Sequence, residues 1–155
     1  MKNRNKAFLL ALAFTLVAGS GFTQGIEFKD GFYYKNGMLY SGVHIDKYEN
    51  GNPKLMLSVK NGVEDGLTYT YYSNGNKQEQ RSYADGKKDG LWINWDENGN
   101  KIAEANYKDD LKDGDWYVWN SSGILLYEMH YKDGKKVGKW KMYDEAGNLK
   151  EERNY

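Results

Sequence analysis

Glycine recurs at Gly42, Gly66, Gly90, Gly114 and Gly138, a spacing of 24 residues held over five units. A second comb, Gly51, Gly75, Gly99, Gly123 and Gly147, has the same period and interleaves with the first. Two phased combs mark a repeat architecture. Each unit is one supersecondary element that cannot bury its apolar side alone, so neighbouring units must stack.

The clearest unit runs from Asp89 to Lys108. Asp89-Gly90 opens it and Asn98-Gly99 divides it, and both dipeptides form turns because Gly and Asn accept positive φ. Between the turns lie a short strand, Leu91 to Asp96, and a longer one, Lys101 to Lys108. Each unit is therefore a hairpin, and tight turns joining successive hairpins give an all-β, up-and-down antiparallel meander. The other units align without gaps. Two positions after the first glycine stand Trp92, Trp116 and Trp140, with Thr68 and His44 in the earlier units. Five positions after it stand Tyr71, Trp95, Trp119 and Tyr143, with Lys47 in the first. Eight after the second glycine stand Val59, Tyr83, Tyr107, Tyr131 and Tyr155. The first unit matches least well, and its opening segment, Tyr34 to Gly37, is offset by one residue. Atypical end units are normal in repeat proteins.

The positions two and five after the glycine differ in parity, and side chains alternate along a strand. Two arrangements accommodate this. Either both faces of the sheet are aromatic, or a bulge brings the two columns together. An exposed aromatic strip on a thin sheet would point to a partner or ligand.

Residues 1–21 read as a helical signal peptide: Lys2, Arg4 and Lys6 precede the apolar run Ala7 to Ala18, and Gly19, Ser20 and Gly21 follow. The run is short for a transmembrane helix. Cleavage after Gly19, Ser20 or Gly21 satisfies the small-residue requirement, and a site as late as Gln24 is an alternative. No cysteine follows for lipid attachment. Residues 22–31 form a short leader segment and 32–155 the repeat domain. The chain is expected to be exported to the periplasm, the cell surface or the medium. Removing the leader leaves 19 basic against 22 acidic side chains, a net charge near −3. That balance argues against nucleic acid and disfavours an anionic lipid surface. Without disulfides, packing must hold the domain together. Aliphatic residues are few and aromatics make up 15% of the chain, so Tyr and Trp must supply most of the core.

The residues offer little chemistry. His44 sits in the tryptophan column and His130 in the column of Ser58, Ser82 and Asn106, with no second histidine or cysteine nearby to build a zinc site. Asp109, Asp110, Asp113 and Asp115 are the densest acidic cluster. Counted from Asp109 as a calcium loop, the third position is Leu111 and the twelfth Asn120, which fails the ligand pattern. The columns containing Glu79 and Glu151, and Glu104, Glu128 and Glu152, read as solvated faces, since hydrolysis needs two carboxyls about a cleft. The glycines lie in hairpin turns rather than between a strand and a helix, so no phosphate loop is formed. No nucleophile elbow is present. Neither catalytic residues, nor cofactor ligands, nor metal ligands are assigned.

The run Tyr131 to Lys150, with Tyr83 to Lys101 and Tyr107 to Leu125, resembles the variant form of the MORN repeat over about residues 32–155. It departs at His44 and Thr68, where the tryptophan is absent, and at Asp110, where a turn glycine is replaced. The resemblance implies an elongated, twisted sheet of about five stacked hairpins serving as a non-enzymatic scaffold. Some relatives are linked to phospholipid binding or dimerisation, and some bacterial ones are labelled antitoxins. The expected partner is another protein, with Trp92, Trp95, Trp116, Trp119, Trp140, Tyr71 and Tyr143 as candidate contacts. For any single tryptophan, packing of the sheet is the simpler reading. Alternatives are polysaccharide stacked on the aromatic faces, an immunity-type or antitoxin role, and pairing with a second copy through open sheet edges.

Overall fold

The computed structural model describes residues 25–155, so the expected leader and its cleavage positions lie outside the described residues. The chain forms β1 (Glu27–Lys29), β2 (Phe32–Lys35), β3 (Met38–Leu39), β4 (Gly42–Lys47), β5 (Pro53–Lys60), β6 (Val63–Glu64), β7 (Gly66–Tyr71), β8 (Lys77–Ala84) and β9 (Lys87–Lys88). It continues with β10 (Gly90–Trp95), β11 (Lys101–Lys108), β12 (Leu111–Lys112), β13 (Gly114–Trp119), β14 (Leu125–Lys132), β15 (Lys135–Lys136), β16 (Lys139–Tyr143) and β17 (Leu149–Asn154). β1 to β3 make a small antiparallel sheet. The main sheet runs β4-β5-β7-β8-β10-β11-β13-β14-β16-β17, with β6, β9, β12 and β15 hooked onto β5, β8, β11 and β14. It is an open antiparallel meander, as the repeat predicts. Nine inter-strand steps of about 4.8 Å carry it over roughly 43 Å. β1 lies in the segment 22–31, and Ile26 before it is buried against Leu57 and Val59.

Two turn types alternate. Asp85 and Gly86 both have positive φ, 48° and 81°, which makes the two-residue turn whose twist suits a hairpin. Asn61-Gly62 and Asp133-Gly134 repeat it. At Asp109-Asp110 the replaced glycine is tolerated with φ of 67°, and Asp110 Oδ1 accepts the Lys88 amide at 2.9 Å. These turns also tie unit to unit: the Gly86 amide donates to the Glu64 carbonyl, Asp110 to Lys88 and Gly134 to Lys112, at 2.8–2.9 Å. Gly62 donates to Tyr40 in the same way, so the small sheet acts as a partial preceding unit.

The turn at Asn98-Gly99 is longer than a two-residue hairpin. Asp96 accepts the Gly99 amide at 3.0 Å and donates to Asn100 at 2.9 Å, closing a three-residue loop with glycine at a left-handed φ of 86°. The Asp96 carboxylate accepts the Asn98 and Asn100 amides and preorganises the loop. Just beyond it the register slips: Asn94 faces Ala103 while Trp95 faces Lys101, leaving Ile102 as the extra residue of a bulge. The same slip occurs in every unit.

The bulge lies on the long strand, so it does not bring the two aromatic columns of the short strand together. Both faces are aromatic. One carries an interlocked ring stack: Tyr83–Trp92, Trp92–Tyr107, Tyr107–Trp116, Trp116–Tyr131, Tyr131–Trp140 and Trp140–Tyr155, with centroids 4.8–5.4 Å apart. β10 pairs with β8 only at Ile93 and Asn94, and the Trp92 indole donates across to the Ser82 carbonyl at 3.0 Å. Trp116 donates likewise to Asn106 and Trp140 to His130. Each indole thus buries a large area and satisfies its polar atom. Lys88, Lys112 and Lys136 lie over these rings at 4.2–5.2 Å. Burial among them presses the Lys112 ammonium below its ordinary pKa and raises the Tyr107 hydroxyl to about 12. Gly90 starts the short strand at φ 93°, and a Cβ there would stand 3.0 Å from Ser82 Oγ. Gly114, with φ 102°, repeats this, its Cβ position lying 3.1 Å from Asn106 Cβ.

Candidate interaction surface

The structure divides the seven aromatic candidates between the two faces. Trp92 and Trp116 are 1% and 2% exposed, and Trp140 continues their stack. Trp92 and Trp116 are therefore buried in the core, where the ring stack and the indole hydrogen bonds take up their surface. Tyr71, Trp95, Trp119 and Tyr143 lie on the opposite face and are half-buried.

This second face holds more than the columns read from the sequence. Tyr69 and Tyr117, two residues before Tyr71 and Trp119, share their face because side chains alternate. Their ring centroids lie 6.3 Å and 5.7 Å from those neighbours. That column, three positions after the first glycine, was legible from parity alone. The bulged register supplies what was not. It places Lys77 opposite Tyr71 and Lys101 opposite Trp95, so that Lys77 Nζ stands 4.6 Å from the Tyr69 ring centre and Lys101 Nζ 5.3 Å from that of Trp119.

A carboxylate row runs beside the stripe. Glu104 faces Ile93 and Glu128 faces Tyr117. Glu104 binds Lys101 at 2.6 Å, and Glu128 binds Lys141 at 2.9 Å and accepts the Tyr143 hydroxyl at 3.2 Å. The hydrogen bond from Lys141 is the main cause holding the Glu128 carboxyl below its ordinary pKa. His130 lies 3.7 Å from Glu128 of the row and binds Asp115 at 2.6 Å, while His44 lies on the core face, 2.9 Å from Asp46. Among the described residues, no group of three or more His, Asp or Glu is placed to hold a metal ion. What the face offers is flat aromatic area edged by fixed charges of both signs.

The profile of the MORN repeat variant matches residues 64–85, 88–109, 112–133 and 136–155, more than half of the chain. The chain belongs to the MORN repeat variant family. Each matched MORN unit begins at the second residue of a two-residue strand and takes in the short strand, the loop and the long strand. Residues 42–63 fold as the same hairpin but lie before the first match. Repeats of this kind are interaction modules, and the repeat itself is a scaffold. No curated protein matches the chain.

Proposed function

We propose that the chain is an exported, non-enzymatic scaffold that binds another protein along the stripe of Tyr69, Tyr71, Trp95, Tyr117, Trp119 and Tyr143. The observation carrying this reading is the division of labour between the faces. One aromatic column is spent on the core, while the other stays half-buried and edged by paired charges. Tyr and Trp in such positions bring large contact area at low entropic cost, and they dominate interface energies. The lysines already held over rings reduce the ordering cost on association. The edges at β4 and β17, unpaired among the described residues, would admit a second copy as partner. Export, to the periplasm, the cell surface or the medium, rests on the leader pattern.

The test is a pull-down from native envelope extracts, using tagged chain made with its own leader. A stoichiometric protein should be captured by the parent and lost with the Trp95→Ala, Trp119→Ala double variant, whose circular dichroism matches the parent. Capture unaffected by that variant would refute the stripe as the contact.

A further inference from the structure

The repeat breaks in its second unit, and a cavity opens there. Thr68 stands where later units carry Trp92, Trp116 and Trp140. Those indoles fill the gap between hairpins and donate to the carbonyls of Ser82, Asn106 and His130. The corresponding carbonyl in the second unit is that of Ser58, and Thr68 is too short to fill the gap beside it. The space left, about 430 Å³, lies between the core face and the small N-terminal sheet. It falls within the roughly 300–1,000 Å³ typical of small-molecule sites.

The walls are not those of a packing defect. Phe28, Tyr33 and Tyr83 supply aromatic surface. Thr68 is 6% exposed, and its Oγ1 and that of Thr70 are buried without a hydrogen-bond partner among the described residues. Hydroxyls left so are costly, and a packed core does not retain two of them without cause. Arg81 faces Thr68 and binds Glu79 at 2.7 Å, and Glu64 completes the polar wall. Burial raises the Glu64 carboxyl above its ordinary pKa, partly offset by the Tyr83 hydroxyl and Arg81.

From this wall we infer that the cavity is a binding site for a neutral, polyhydroxylated sugar ring, free or at the end of a glycan. An anion would meet two carboxyl groups, and a cation would meet the guanidinium. A sugar hydroxyl both donates and accepts, so it matches the carboxyls and Arg81 on the wall, and it meets Thr68 and Thr70 once rotation about χ1 turns their covered hydroxyls toward the space. Its C–H faces suit the aromatic walls. The site is separate from the stripe on the other face.

The test titrates the full chain, made with its own leader, with glucose, galactose, mannose and N-acetylglucosamine by calorimetry up to about 50 mM. It then uses a soluble polysaccharide ending in the best of them, which separates a free sugar from a glycan terminus. We expect one sugar to bind with Kd of about 10 mM or tighter (about −2.7 kcal/mol). Thr68→Trp rebuilds the later units and should abolish binding while raising Tm. Trp opposite Arg is already accommodated, since Trp140 faces Arg153. Thr70→Val should weaken binding about tenfold. If Thr68→Trp fails to fold, the Thr68→Val, Thr70→Val pair removes the hydroxyls at constant shape and should abolish binding. Trp119→Ala should leave sugar binding unchanged, so the protein-partner reading and this one fail independently. No binding across the panel, or binding untouched by the threonine variants, would overturn the inference.

Discussion

Replacing Trp116 by alanine tests the assignment of the two faces. Trp116 is 2% exposed, and its ring stands 5.2 Å from Tyr107 and 5.3 Å from Tyr131. Truncating a buried tryptophan costs about 3–5 kcal/mol, including the cavity it leaves. Losing the contact with Lys112, 4.2 Å from the ring centre, adds about 0.5–1 kcal/mol. The Asn106 carbonyl keeps the Asp113 amide at 3.0 Å, so loss of the indole hydrogen bond adds only about 1 kcal/mol and orphans no acceptor. The expected destabilisation is therefore about 4.5–7 kcal/mol. Trp116→Phe keeps most of the stack and should cost about 1–2 kcal/mol. Trp119→Ala, half-buried on the other face, should cost about 1–2 kcal/mol, because part of its area already faces water. Urea unfolding followed by circular dichroism reads all three, with the m-value checked for constancy. If Trp119→Ala costs as much as Trp116→Ala, or Trp116→Ala costs under about 2 kcal/mol, the division between core and surface face is wrong.

Glu128 and Glu64 should move stability in opposite directions with pH. Lys141 holds Glu128 below its ordinary value of 4.5, so its contribution is present above that value and is lost as pH falls through the folded pKa. Glu128→Gln should thus lower Tm at pH 7 and converge with the parent well below pH 4.5. Burial raises Glu64 above 4.5, so the folded state binds its proton more tightly and stability falls as pH rises through the folded value. Glu64→Gln should abolish that fall, and thermal melts between pH 4 and 7 show whether it does. Gly99→Ala should cost about 1–2 kcal/mol for the left-handed backbone alone, since nothing lies within 4 Å of its Cβ position. Gly90→Ala should cost more in the same melts, because Ser82 stands 3.0 Å away as well. Intact mass of envelope-derived protein should place the mature N-terminus between residues 20 and 25, and an uncleaved chain would refute the leader.

Hairpins, turns and meander were legible in the residues because their causes are local. Positive φ at Gly86 and Gly99 is a property of a few bonds, and a 24-residue period copies it along the chain. The position of Asp110 as a glycine substitute was equally plain. Non-local causes hid the rest. Trp92 and Trp95 look alike in sequence, and only the register slip on the facing strand shows that the bulge leaves them on opposite faces. Tyr69 and Tyr117 gain meaning from rings beside them, and Lys101 from a tryptophan in the next hairpin. Thr68 appeared as a lapse in a pattern; packing against a sheet more than thirty residues upstream turns it into the wall of a cavity. By itself the sequence determined the unit, its turns and its repetition, because backbone preference acts within a few residues. Tertiary structure decided which aromatic face is buried, which is offered and where the stack is left empty, because burial depends on what neighbouring hairpins bring.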